Sequence, residues 1–247
     1  MPGPGILAAR LLGAYRHGFT TREGGVSRGA YATLNLSTSV GDDPARVREN
    51  WDRLRASTGL AFARVRQVHG CRVVGAEAGT DPVEEADAVT TSTPGVAACV
   101  SVADCVPVLL ADPRSGAVAA VHAGWRGTIG GAAAAGVQAL VERYGARPGD
   151  LLAAIGPGIG PCCFEVSRDL AARFRDEVGP VTATPRDQGS RVDLWRANEL
   201  LLRRAGLRPA RIETLGRCTS CEERTFFSHR RDDGLTGRHV AFIAAVS

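Results

Sequence analysis

Cys105 and His122 stand at the two ends of an apolar stretch, Val106 to Ala111 and Ala117 to Val121, broken by the turn sequence Asp112-Pro113-Arg114-Ser115-Gly116. If the two runs pair as a hairpin, Cys105 comes to within about one residue of His122 across the open end. A thiol and an imidazole so placed can hold a metal, form a nucleophile–base pair, or pack as ordinary core residues. His69 runs into a glycine turn (Val68-His69-Gly70), as His122 does (Val121-His122-Ala123-Gly124), and such strand exits aim side chains into clefts. His69, Cys105 and His122 then make a His2Cys set with an open fourth position. That is the form of a catalytic zinc site, and copper suits the same donors. The competing reading is two satisfied core histidines and a buried thiol.

The surroundings add chemistry. Asp104 is a carboxylate in an apolar strand context, costly unless it is paired or orients a ligand. Gly124-Trp125-Arg126-Gly127-Thr128 sets an arginine and a glycine at a helix start, where N–H groups favour an anion. Gly156-Pro157-Gly158-Ile159-Gly160 is either a close approach to a ligand or a strained loop. Phe226 to Asp232 offers Arg230 and Arg231 beside two aromatics, as a phosphate clamp or as a solvated run over core rings. Cys218-Thr-Ser-Cys221 is a CxxC with no second CxxC to complete a four-thiolate site, so Cys218→Ala and Cys221→Ala are expected to change little. Cys162-Cys163 after Pro161 has a faint likeness to the PCxxC of zinc deaminases, but the partner HxE is missing.

The elements that must position these residues read as follows. Asp43 caps a helix with Pro44 at its first position, Val47, Trp51 and Leu54 on one face, and Gly59 to stop it. "ARVRQVHG" and "CRVVGA" read as a hairpin with His69 at the end of its first strand. Thr128 is expected to cap a small-residue helix running to Tyr144 and ended by Gly145. Ser167 caps a helix that stops at Gly179-Pro180, a further helix covers Asp193 to Ala205, and strands lie near Arg211 to Leu215 and His239 to Val246. Hairpins with interspersed helices, and no regular βαβ alternation, predict an α+β fold: one compact domain over 1–247, mixed β-sheets sandwiched by helices.

Composition narrows the function classes. The 247 residues are 44% hydrophobic and 23% charged, ordinary for a globular protein, with no apolar run long enough for a membrane span. No signal pattern opens the sequence, so cytoplasm is the expectation. All 30 basic residues are arginine, which excludes a Schiff-base lysine and a P-loop lysine. The net charge of +4 is mild and the arginines are interleaved with acids, which argues against a nucleic-acid partner. Seven cysteines, an odd number, favour reduced thiols or metal ligation over a disulfide framework.

Taken together, HGFTTREGGVS, LNLS, VGDDP, RQVHG, ADAVTT, VADCVPVLLAD, VHAGWRGT, IGPGIGPCCFEV and FFSHRRDDGLTGR resemble the signature blocks of the YfiH-type family, over nearly the whole chain from His17 to Arg238. Its members carry names such as multicopper polyphenol oxidase (laccase domain), peptidoglycan editing factor and purine nucleoside phosphorylase. The resemblance implies a compact α+β sandwich and a zinc ion on His69, Cys105 and His122. It implies phosphorolysis of adenosine, inosine, guanosine and 5'-methylthioadenosine, with adenosine deamination as well, by a protein expected to be a monomer whose partners are a purine nucleoside and phosphate. Many members have tyrosine where His229 stands.

For phosphorolysis the candidate substrate and phosphate contacts are Arg22, Asn35, Arg126, Gly127, Arg230 and Arg231. For deamination, in which zinc activates water for attack on the purine C6, Asp104 and Glu165 are candidate proton shuttles. A multicopper laccase needs many histidines, usually in HxH pairs, and five histidines with no HxH do not supply a trinuclear cluster. A single copper at the His2Cys set, a metal-free hydrolase using Cys105 and His122, and an editing role on cell-wall precursors are the alternatives.

Overall fold

The computed structural model describes residues 3–76, 84–185 and 189–246. Two mixed sheets lie face to face. One has the order β1 (Ile6–Leu7), β2 (His17–Thr20), β14 (His239–Ala244), β6 (Val96–Val102), β3 (Ala61–Ala63). The other runs β13 (Ile212–Thr214), β9 (Leu152–Ile155), β7 (Val106–Ala111), β8 (Val118–Ala123), β5 (Ala88–Thr91), β4 (Val73–Gly75). A small third sheet joins β10 (Glu165–Val166), β12 (Ser190–Val192) and β11 (Ala183–Pro185). The helices are α1 (Pro44–Thr58), α2 (Trp125–Gly130), α3 (Ala132–Tyr144), α4 (Arg168–Arg173) and α5 (Leu194–Arg204).

The layering follows from strands that are apolar on both faces. In β7 every residue is buried, and alternate side chains enter different cores. Val106, Val108 and Leu110 pack with Val137 and Leu140 of α3 and Leu202 of α5. Leu109 and Ala111 pack between the two large sheets with Phe19, Val100 and Ile243. On the outer face of the first sheet, Val47, Trp51 and Leu54 of α1 cover Phe62, Ala97 and Phe242. The result is helix, sheet, sheet, helix, the sandwich expected from the sequence. No helix is long and apolar enough to cross a membrane, among the described residues.

Local signals read well. Asp43 accepts from the Ala45 N–H, Pro44 opens α1, and Gly59 ends it in the left-handed region at φ 66°. Ser167 and Asp193 cap α4 and α5 through their side chains. The β7–β8 hairpin forms with Val106 opposite Ala123 and Pro107 opposite His122.

Two expectations are corrected. The hairpin expected of residues 63–70 and 71–76 does not form: β3 ends at Ala63 and pairs parallel with β6, whereas β4 pairs parallel with β5 in the other sheet. The segment between them crosses from sheet to sheet, and His69 sits in that crossing rather than at a strand end. Short apolar triplets are placed by the neighbour that buries them, which adjacency in sequence does not reveal. Thr128 does not cap a helix. Gly124 is the N-cap of α2, Gly131 breaks the helix at φ 87°, and Thr128 is buried within α2, donating to the Ala123 carbonyl.

Candidate active site

The hairpin register sets Cys105 two positions along from Pro107, the partner of His122, at the end where β7 and β8 leave the sheet. The crossing segment brings His69 to the same end. Its ring centroid lies 4.9 Å from that of His122, at an interplanar angle of 77°. The ligand atoms of His69, Cys105 and His122 all lie within 4.8 Å of one another. His122 is buried, Cys105 half-buried and His69 exposed, so the cluster is open on the His69 side.

A residue missed in the sequence holds this cluster together. Asp87, immediately before β5, lies across from His122 in the β5–β8 ladder, and the His122 N–H donates to its carbonyl at 2.7 Å. Its carboxylate accepts His122 Nδ1 at 2.8 Å, which fixes the tautomer and leaves Nε2 free for a ligand. The same carboxylate accepts the backbone N–H groups of His69 (2.9 Å), Gly70 (2.6 Å) and Val68 (3.3 Å). This nest holds His69 in the left-handed region at φ 62°, where a β-carbon residue is strained. Asp87 is fully buried. The signal was present in ADAVTT, a carboxylate entering an apolar strand, the same signal that singled out Asp104.

Charge follows from this geometry. Burial opposes ionisation of Asp87, but His122 and the Gly70 and His69 N–H groups outweigh it and hold the carboxyl below its ordinary range. Burial likewise opposes charge on Cys105 and His122. Their mutual attraction, with the Asp87 hydrogen bond to His122, wins and favours thiolate beside imidazolium in the metal-free site. Gly124 is required by crowding. A Cβ there would lie 2.9 Å from Cys105 Sγ and 3.3 Å from His69 Cδ2.

The cluster opens into a cavity of about 750 Å³ between the first sheet, α1 and the loop after Leu36, within the range of small-molecule sites. Its polar walls include Ser37, Ser39, Gln67, Ser101, His229 and Arg238. Gln67 is clamped, donating to the Ser101 carbonyl and accepting the Ser101 N–H. Arg238 is half-buried, and its guanidinium donates to the Thr236 and Gly237 carbonyls. Neither Gln67 nor Arg238 was singled out from the sequence, since each sits inside a motif without a distinguishing neighbour.

The other sequence candidates are placed elsewhere. Asp104, at φ 81°, accepts from the Thr219 hydroxyl (2.6 Å), the Ser228 hydroxyl (3.0 Å) and the Arg230 N–H (2.6 Å), so it latches loops behind Cys105. Asn35 is buried and spends its amide on Ser37, Asp42 and the Arg238 N–H, which positions two segments of the cavity wall. Arg22 stacks on Phe227 and donates to the Ala32 and Glu223 carbonyls. Arg126 is exposed over Trp125, and Gly127 lets α2 approach Gly70, whose carbonyl would lie 3.2 Å from an added Cβ. Arg230 bonds the Glu165 carbonyl, and Arg231 is tied to Thr219, Phe226 and Asp232. The Glu165 carboxylate pairs with Arg191. None of these candidate residues lines the cavity. Gly156, Gly158 and Gly160 serve close packing: added Cβ atoms would meet Phe19, Val106 and Trp195 at 2.2, 2.9 and 2.7 Å.

Comparison with known proteins gives a consistent picture. A family model described as Multi-copper polyphenol oxidoreductase laccase matches residues 16–246. Over 245 residues, 98% of this chain and 93% of the relative, the sequence is 46% identical to a Deinococcus radiodurans protein named Purine nucleoside phosphorylase. It is 41% identical to Purine nucleoside phosphorylase YlmD of Geobacillus stearothermophilus, over 92% of this chain and 88% of that one. The crystal structure of YlmD from Geobacillus stearothermophilus superposes with a TM-score of 0.92 at 35% identity, covering 100% of this chain and 98% of that chain.

Proposed function

The chain belongs to the multi-copper polyphenol oxidoreductase laccase family, the YfiH-type group that its motifs resemble, and from that premise we propose that it is a zinc-dependent purine nucleoside phosphorylase that also deaminates adenosine. The observation that carries this reading is the convergence of His69, Cys105 and His122 on a cavity large enough for a nucleoside, with Arg64, Arg66 and Arg238 in its wall. The names of the relatives support the same class of reaction.

The donor set fits a resident metal. Two imidazoles and one thiolate, with Asp87 aligning one imidazole, suit zinc, and copper is the alternative for these donors. Zinc held there supplies a Lewis acid in a half-enclosed site. The remaining work falls to the chain. In phosphorolysis a phosphate oxygen bonds to ribose C1' as the C1'–N9 bond breaks, and the departing purine takes up a proton. Arg238, its backbone N–H held by Asn35 and its guanidinium by backbone carbonyls, is a cation able to meet the phosphate, in a wall that Arg64 and Arg66 also line. Gln67 and the Ser37 and Ser39 hydroxyls offer contacts to ribose and base edges. In deamination, water replaces the 6-amino group of adenosine and ammonia leaves, with His229 in the same wall as a group able to carry the proton.

Oxidation of phenols by a multicopper mechanism has little to draw on. His17 is bonded to the Ala9 N–H and the Tyr15 carbonyl, and His239 is buried against Phe227, so neither joins a second copper set. A second reading has an observation behind it: Cys105, His122 and Asp87 line up as nucleophile, base and orienting carboxylate. The deciding experiment incubates the purified protein with adenosine or inosine, with and without phosphate, before and after chelation. Free base and ribose-1-phosphate that need both phosphate and metal are expected. Base release that ignores phosphate would make the protein a hydrolase, and activity that survives chelation would favour the cysteine nucleophile.

A further inference from the structure

The CxxC that lacked a partner in the sequence finds one in the fold. The Gly156–Gly160 stretch ends in Cys162 and Cys163, and the strand after α5 leads into the loop that carries Cys218 and Cys221. The two loops pair through a bridge between Gly158 and Cys218, with the Gly158 N–H donating to Arg217 and the Thr219 N–H to Gly158. The Sγ atoms of all four cysteines lie within 4.8 Å of one another. Cys221 Sγ is 3.4 Å from Cys162 Sγ and 3.4 Å from Cys163 Sγ, and none of the four is in a disulfide. These separations sit close to the edge of a tetrahedron built on metal–sulfur bonds of roughly 2.3 Å, an edge of about 3.8 Å. The Gly160 N–H donates to Cys218 Sγ at 3.2 Å, the kind of bond that supports a thiolate. Four converging thiols are an unusual grouping unless a cation joins them.

We propose that Cys162, Cys163, Cys218 and Cys221 bind a second metal ion, a thiolate-preferring divalent cation of the zinc class, separate from the His69–Cys105–His122 site. With four protein ligands the site is closed, and its role is structural. What it staples is specific. Thr219, between two of its ligands, donates its hydroxyl to Asp104 Oδ1 at 2.6 Å, and Asp104 directly precedes Cys105. Arg231 holds the Thr219 carbonyl from the other side. The four-thiolate site therefore fixes the loop that fixes the backbone behind the thiolate of the first site. It is a positioning device for that thiolate and makes no contact with the cavity.

The test counts metals and reads their ligands. Elemental analysis of the holoprotein is expected to give two metal ions per chain, with one retained in Cys105→Ser and one in Cys221→Ser. Cobalt loading is expected to give intense sulfur-to-metal charge-transfer absorption that persists in Cys105→Ser and disappears in Cys221→Ser. One metal per chain in the wild type, or cobalt bands indifferent to Cys221→Ser, would overturn the proposal. Should Cys221→Ser fail to fold, alkylation of the wild type decides instead. Cys162 and Cys221 are exposed, yet they are expected to resist iodoacetamide until a chelator is added. Immediate modification in the metal-loaded protein, or an intact mass showing disulfides in place of the thiols, would refute it.

Discussion

Asp87 is the residue on which the candidate site turns, because one carboxylate both orients His122 and holds the strained backbone of His69. Asp87→Asn should lower metal affinity about 10- to 100-fold, the usual effect of removing a carboxylate partner of a ligating histidine. Competition with a chromogenic chelator measures it, and unchanged affinity would show that the nest alone suffices. Cys105→Ala should abolish turnover while leaving the circular dichroism and unfolding midpoint close to wild type, since its side chain is half-buried and small. Arg238→Ala should slow phosphorolysis roughly ten- to hundredfold, equivalent to about 1.5–3 kcal/mol for a lost charge-assisted contact. The loss should appear in the dependence on phosphate. An unchanged phosphate KM would move the anion site elsewhere.

At the scale of elements, chain-local chemistry was legible and sheet order was not. The caps of α1, α4 and α5 follow from Asp43, Ser167 and Asp193 because a cap involves residues two or three positions apart. Asp43→Ala should therefore destabilise the protein by about 1 kcal/mol and leave turnover unchanged, as Asp43 does not line the cavity. Denaturant titration checks the first expectation and the nucleoside assay the second. The placement of β3 and β4 in different sheets, by contrast, depends on which strands flank them in space. That is why His69 was assigned to a strand end when it occupies the crossing between sheets.

For the whole molecule, the sandwich leaves an acid-sensitive group in its interior. His239 is buried at the start of β14, accepts the Phe227 N–H on Nε2, and is pushed down to about 3 by burial, with the charges of Arg22 and Arg238 adding to it. Above its ordinary pKa near 6.5 both folded and unfolded chains carry it neutral, and it has no effect on stability. Below that, the unfolded chain binds a proton that the folded chain refuses. Stability should fall by about 1.4 kcal/mol per pH unit between about pH 6.5 and 3 from this group. Unfolding free energies across that window should show a shallower acid limb in His239→Gln, whose amide oxygen can still accept the Phe227 N–H. Identical limbs would mean that the carboxylates alone govern acid unfolding.

The sequence by itself determined what neighbours along the chain decide: the β7–β8 hairpin that sets Cys105 near His122, the caps of α1, α4 and α5, and the donor types for a metal. Turn chemistry and apolar periodicity act over a few residues and survive reading in one dimension. Only the tertiary structure decided the rest. Asp87 meets His122 across 35 residues, Asn35 meets the Arg238 backbone across 203, and Cys162 meets Cys221 across 59. It also set Arg22, Arg230 and Arg231 on backbone carbonyls outside the cavity. Such pairings depend on sheet order, register and the burial of both strand faces, quantities set by the packing of the whole chain and carried by no single segment of it.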